Sequence, residues 1–182
     1  MMNYAQIKYN DIANGDGVRT SLFVSGCPHH CKGCFNEIAW DYNYGEEFTT
    51  EVSTKILQSI APKYISGLSI LGGEPLCLDN IFCVTYLVSA FRMLYNDKKS
   101  IWIYTGYTLE ELKNIMNDGS TKYKVFYKYI MNNIDVLVDG RFEEDKKDIS
   151  LKFKGSANQR IIDMKETIKQ NKIILYYDEE NK

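Results

Sequence analysis

A chain of 182 residues with 22 basic and 24 acidic side chains, a net charge of −2, has room for one domain with a buried core. It carries no block of like charge that would suit nucleic acid or an anionic membrane surface, and no apolar run near the ~20 residues that span a bilayer. The first six residues lack a basic segment followed by an apolar one, so the expectation is a cytoplasmic protein with no signal peptide. In chain order, Leu22-Phe23-Val24 reads as a buried strand that stops at Ser25-Gly26. Thr49 is placed to cap a helix whose apolar face is Val52, Ile56, Leu57 and Ile60. Leu68 to Leu71 reads as a short strand ended by Gly72-Gly73. The period of Ile81, Val84, Leu87, Val88, Phe91 and Leu94 predicts a second helix.

Ile101 to Tyr104 is a further strand, closed by Thr105-Gly106. Thr108-Leu109-Glu110-Glu111 has the form of a capping box, in which a threonine oxygen and a glutamate three residues on satisfy each other's free amides. It predicts a helix over about Leu109 to Met116, and Tyr123 to Met131 suggests another. Val136-Leu137-Val138 is a strand bounded by Asp135 and Asp139-Gly140, and Ile173 to Tyr177 is rich enough in β-formers for a late strand. Tyr123, Tyr127 and Tyr129 are expected to pack helices. The pairs Lys146-Lys147 and Glu179-Glu180 read as solvated surface.

Strands alternating with helices imply βα units around a parallel sheet. A closed eight-stranded barrel takes ~250 residues, so this α/β chain is expected to form an incomplete, partial TIM-like barrel or an open twisted sheet. Either way a site belongs at the carboxyl ends of the strands. The polar and glycine-rich segments 25–36, 72–75, 105–107 and 139–141 all fall at such ends.

Five cysteines, an odd number, argue against a complete disulfide framework. Three lie close together, as Cys27-Pro28-His29-His30-Cys31-Lys32-Gly33-Cys34. A compact loop with this spacing can aim three thiolates at one region. Three ligands on a four-iron cluster would leave one iron open to a substrate or cofactor. Spacing alone also allows structural zinc, with His29, His30 or a remote side chain as fourth ligand, or a redox-active thiol group. The histidines can equally be polar surface or supporting residues. Cys77 and Cys83 read as small, partly buried apolar residues rather than ligands.

Cys-x3-Cys-x2-Cys followed by Gly72-Gly73-Glu74-Pro75 resembles the radical S-adenosylmethionine superfamily, and within it the activating proteins of glycyl-radical enzymes. Four further segments are similar, in order, to the activases of anaerobic ribonucleoside-triphosphate reductase: Asp11 to Arg19, Trp102 to Tyr107, Asp135 to Phe142 and Lys154 to Arg160. The resemblance runs over about residues 3–163 of a single domain spanning 1–182, leaving a C-terminal extension of about 164–182. It implies a radical-SAM partial barrel. It also implies a [4Fe–4S] cluster on Cys27, Cys31 and Cys34, with S-adenosyl-L-methionine cleaved reductively to a 5′-deoxyadenosyl radical. The implied partners are the glycyl-radical subunit of an anaerobic ribonucleoside-triphosphate reductase and a low-potential electron donor such as flavodoxin.

Many members of that superfamily place an aromatic residue just before the third cysteine; this chain has Gly33 there and Phe35 just after. The resemblance therefore assigns the adenine to backbone contacts from Gly33, Cys34 and Phe35. Gly72 and Gly73 would let a ligand lie against the main chain, with their carbonyls accepting from the methionyl ammonium and Glu74 adding negative charge. A plain tight turn is the alternative for that segment. Thr105 and Asp139, at strand ends, are candidates for polar contacts to the cofactor, although turn chemistry alone could place them. Asn14 to Arg19 could form a turn that positions the cysteine loop, with Arg19 facing a carboxylate, the partner enzyme or a surface ion pair. Asn158 to Arg160 reads as a solvated loop on its own pattern, while the resemblance implies a role in closing the site or docking the partner.

Overall fold

The computed structural model describes residues 2–118 and 122–177; Glu179 and Glu180 lie outside them. The strands are β1 (Asn3–Asp11), β2 (Val18–Val24), β3 (Glu46–Glu47), β4 (Ile65–Gly72), β5 (Ser100–Tyr104), β6 (Val136–Asp139) and β7 (Arg160–Asp163). The helices are α1 (Thr50–Ile60), α2 (Ile81–Tyr95), α3 (Leu109–Asn117), α4 (Lys124–Asn133) and α5 (Met164–Gln170). One sheet runs in the order β3-β1-β2-β4-β5-β6-β7. Its centre, β2-β4-β5-β6, is parallel, while β1 and β3 on one flank and β7 on the other run antiparallel. The two flanks do not meet in this strand order, so the sheet is open.

The parallel centre follows from residues buried on both faces. Leu22, Val24, Leu68, Ile70, Ile101, Ile103 and Leu137 pack into the main core with the apolar faces of α1, α2, α3 and α4. Alternate residues turn to the other face, where Trp102, Val136, Val138 and Ile161 form a second cluster backed by Tyr104, Phe153 and Tyr177. Both predicted caps are present. Thr49 accepts from the Val52 amide, and Thr108 and Glu111 close the reciprocal box.

The antiparallel flanks were not legible. Strand β1 is half-exposed along most of its length, and β7 offers only Ile161 and Ile162 as apolar residues, so neither shows a strong strand pattern. Two other expectations shift. Ile173 to Tyr177 makes only a single bridge, Ile162 to Leu175, with flanking main-chain bonds from Asp163 N–H to Ile174 and from Tyr176 N–H to Ile161. Leu94 is 61 % exposed, because Tyr95 continues the buried face of α2 and donates its hydroxyl to the Leu57 carbonyl. Lys146 and Lys147 are exposed, as expected. Tyr127 is buried and donates to the Leu76 carbonyl, whereas Tyr129 stays exposed.

Arg19 corrects the sequence reading most sharply. It is fully buried rather than facing solvent, a carboxylate or a partner. Its guanidinium donates to Ser69 Oγ, Ser100 Oγ and the carbonyls of Asp16, Leu68 and Ser100, and lies over the Trp102 ring. Burial pushes its pKa down to about 10. The residue thereby pins the 12–17 turn to the sheet face that carries the site.

Candidate functional site

The carboxyl ends of β2, β4, β5 and β6 open together onto a cavity of about 330 Å³. Its lining includes Cys27, Cys31 and Cys34 from the loop after β2, Gly72 at the end of β4 with Gly73 and Glu74 just beyond, Thr105 and Gly106 after β5, and Gly140 after β6. This is the convergence expected from strand order. Ala13 and Asn14 of the N-terminal turn also reach it.

The glycine pair is dictated by two backbones in contact. Gly73 N–H donates to the Val24 carbonyl at 2.7 Å, and Glu74 N–H to the Gly26 carbonyl at 2.7 Å. A Cβ at Gly72, whose φ is +108°, would sit 2.7 Å from the Val24 oxygen. One at Gly73 would sit 2.4 Å from the Gly26 oxygen. Only glycine permits this approach, which carries the β2–β4 pairing past the sheet and sets the start of the cysteine loop beside Glu74. The same start is tied on its other side, where Gly26 and Cys27 donate to the carbonyls of Ala39 and Trp40.

Glu74 has no solvent exposure. Its Oε1 accepts from the Leu76 amide at 2.9 Å and Thr105 Oγ1 at 2.7 Å. Its Oε2 accepts from the Gly106 amide at 2.7 Å and faces His29 Nε2 at 2.8 Å. The charge expected to serve a ligand is thus engaged by four donors of the protein itself. The arrangement joins the ends of β4 and β5 to the cysteine loop.

Burial pushes the Cys27 thiol up to about 11, against the opposing pull of the His29 and His30 amides. Cys31 is also raised by burial, with the Phe142 amide opposing. Cys34 accepts from the Asn36 amide at 3.4 Å. Bound iron would replace these thiol protons and offset the desolvation that holds them on. Among the described residues no three His, Cys, Asp or Glu side chains are gathered to hold a single ion. A four-iron cluster takes each thiolate on a different iron, and the three thiols line one cavity. Of the two loop histidines, His29 places Nε2 on Glu74 and His30 stacks on Trp40 at 4.7 Å. Cys77 is buried and Cys83 sits on α2; neither lines the cavity.

Residues 13–162 match a family model described as a 4Fe-4S single cluster domain. A protein of Pasteurella multocida (strain Pm70) is 41% identical over 162 residues, which cover 88% of this chain and 96% of the relative. One from Vibrio cholerae serotype O1 (strain ATCC 39315 / El Tor Inaba N16961) is 42% identical over 162 residues, 88% of this chain and 97% of its own. One from Enterobacteria phage T4 is 34% identical over 160 residues, 88% and 93% respectively. All three carry the name anaerobic ribonucleoside-triphosphate reductase-activating protein. The chain belongs to that activating-protein family.

For this activating-protein family member, the 4Fe-4S match spans all three loop cysteines, the glycine pair and most of β7. Phe35 lines the cavity while remaining 79 % exposed. Gly33 adopts φ +71°, and a Cβ there would meet Glu144 Oε1 at 2.7 Å. Thr105 lines the cavity with its hydroxyl turned to Glu74. Asp139 does not line it. Its buried carboxylate accepts from the Leu109 amide at the start of α3 and from the Arg160 guanidinium. Gln159 accepts from Gly155 and Ser156 and donates to the Gly140 carbonyl, holding the far wall of the activating-protein cavity.

Sequence reasoning passed over Tyr104 as a site residue, and weighed His29 only as a zinc ligand or as a polar surface or supporting residue. His29 lies inside the cysteine motif, and its position there was the available signal. Tyr104 precedes Thr105 and turns to the sheet face opposite the helices, where its buried hydroxyl has no hydrogen-bond partner among the described residues. Burial holds that phenol well above the usual tyrosine range.

Proposed function

We propose that this chain is an iron–sulfur radical SAM activase that generates a glycyl radical on an anaerobic ribonucleoside-triphosphate reductase. The observation that carries the reading is the single cavity shared by Cys27, Cys31, Cys34, the Gly72–Glu74 strand end and Thr105. When bound, a [4Fe–4S] cluster supplies one electron for cleaving S-adenosylmethionine, whose radical product takes a hydrogen atom from a glycine of the partner.

The chain's own part is ligation, orientation and exclusion of water. The three thiolates would hold the cluster as its protein ligands. The main chain at Gly72 and Gly73 orients the methionyl end, and the backbone from Gly33 to Phe35 receives the adenine. Thr105 acts at the cavity wall. Asp139 acts at one remove, by holding α3 and Arg160. The open sheet, read as a partial barrel, leaves a side through which a mobile glycine loop of the reductase can enter. The electron comes from a low-potential donor such as flavodoxin, in the reducing cytoplasm that suits free thiols. Among the described residues no helix is long and apolar enough to cross a membrane.

Anaerobic reconstitution tests this. The expected result is brown protein with four iron and four sulfide, as the cluster formula requires. It should release 5′-deoxyadenosine from S-adenosylmethionine on reduction, and mixing should produce a glycyl radical signal on the reductase. Colourless protein with one tightly held zinc and no iron would falsify the reading. A radical on an unrelated glycyl-radical enzyme and none on the reductase would reassign the substrate.

A further inference from the structure

We propose that His29 and Glu74 form a positioning pair: the Glu74 carboxylate, locked to the ends of β4 and β5, holds the His29 ring and thereby sets the main chain between Cys27 and Cys31. The inference rests on the cluster reading above and deepens it.

The first support is the saturation of Glu74. An ionised carboxylate offers about four lone-pair positions. Here Leu76 N–H, Thr105 Oγ1, Gly106 N–H and His29 Nε2 supply four partners. A ligand ammonium could reach the carboxylate only by displacing one of them. Glu74 therefore serves the fold of the site, while the glycine main chain is left to meet the ligand.

The second support is the confinement of His29. Its side chain is 6 % exposed. The ring meets Tyr107 edge-on at 4.6 Å, and a Cβ at Gly106 would lie 2.3 Å from His29 Cδ2. Nε2 on the carboxylate and the contacts at Tyr107 and Gly106 hold the ring at the cavity wall. Gly106 is required there for the same reason.

The third support is what the fixed ring does to its own backbone. His29 stands two residues after Cys27 and two before Cys31, so a fixed ring fixes the stretch of main chain between the two thiols, whose His29 and His30 amides pull the Cys27 thiol pKa down. A line of contacts thus runs from the β4–β5 junction through Glu74 to His29, in the loop between two proposed cluster ligands. Hydrogen bonds to ligand sulfurs tune the potential of an iron–sulfur cluster, and losing an outer partner of a metal ligand typically costs about 10–100-fold in metal affinity. His29 is in this account neither an iron ligand nor a proton carrier.

Two variants of the full chain, reconstituted anaerobically beside wild type, test the pair. His29→Gln keeps an N–H donor for Glu74, and His29→Leu keeps bulk without the donor. The readouts are the rate of iron loss to a chelator, the electron paramagnetic resonance spectrum of the reduced cluster and its midpoint potential. The expected result is a Gln variant close to wild type, and a folded Leu variant that loses iron about tenfold faster with an altered spectrum and potential. Equal behaviour of the two variants, whether both normal or both impaired, overturns the proposal. So does a Leu chain that cannot fold even without iron, since that assigns His29 to the fold alone. Failure of wild type to take up iron would instead defeat the cluster reading itself.

Discussion

At the scale of single residues, Glu74 and Arg19, both fully buried, do opposite jobs with the same physics. A charge taken out of water must have its hydrogen-bonding capacity met by the protein. Glu74 meets this with donors and so becomes a junction at the site. Arg19 meets it with hydroxyls and carbonyls, beneath the turn that supplies Ala13 and Asn14 to the cavity. Replacing Arg19 by Met would leave the carbonyls of Leu68 and Asp16 without that donor. The expected loss is roughly 3 kcal/mol of stability, read as a lower urea midpoint of the iron-free protein. An unchanged midpoint would show that the turn is held by other contacts.

At the scale of elements, the site depends on strand ends that approach more closely than side chains allow. The exit of β4 lies against the exit of β2 through the Gly73 amide and the Val24 carbonyl. Gly73→Ala sets a Cβ 2.4 Å from the Gly26 oxygen, a backbone atom that cannot turn aside. The strand ends must then part, with an expected cost of roughly 1–3 kcal/mol and a marked loss of iron retained on reconstitution. A variant with wild-type iron content and thermal stability would show that the approach is not needed. The helix starts are conventional by comparison: Thr108 accepts from the Glu111 amide at 3.2 Å, and Glu111 returns the bond to the Thr108 amide at 2.8 Å. Such a box is readable because both partners lie within four consecutive residues.

At the scale of the whole molecule, the antiparallel strand β7 is bound to the helical layer by one ion network. The Arg160 guanidinium bridges Glu110 on α3 and Asp139 at the end of β6. Its hydrogen bonds hold the Glu110 carboxyl down to about 2, from 4.5. A depressed carboxyl contributes stability that is present above its unfolded value and lost as pH falls through the folded one. The iron-free protein should therefore lose stability between about pH 4.5 and about pH 2, and Glu110→Gln should remove that part of the slope. Urea titrations across this range measure it, and an unaltered slope in the variant would exclude Glu110 as a source. The C-terminal segment adds a second tie, with Tyr177 donating to Asp16 at 2.6 Å and Tyr176 packed against Trp102. The amino-acid sequence by itself determined the parallel centre, the helix caps, the cysteine loop and the glycine turn, because spacing, periodicity and capping are local properties of the chain. Only the tertiary structure decided the antiparallel flanks, the burial of Arg19 and the occupation of Glu74. The partners of Glu74 stand 45 and 31 residues away, at His29 and Thr105, and long-range closure has no local signature. Folding thus made the Glu74 carboxylate, which lines the cavity, a tie between the strand ends and the cysteine loop as well.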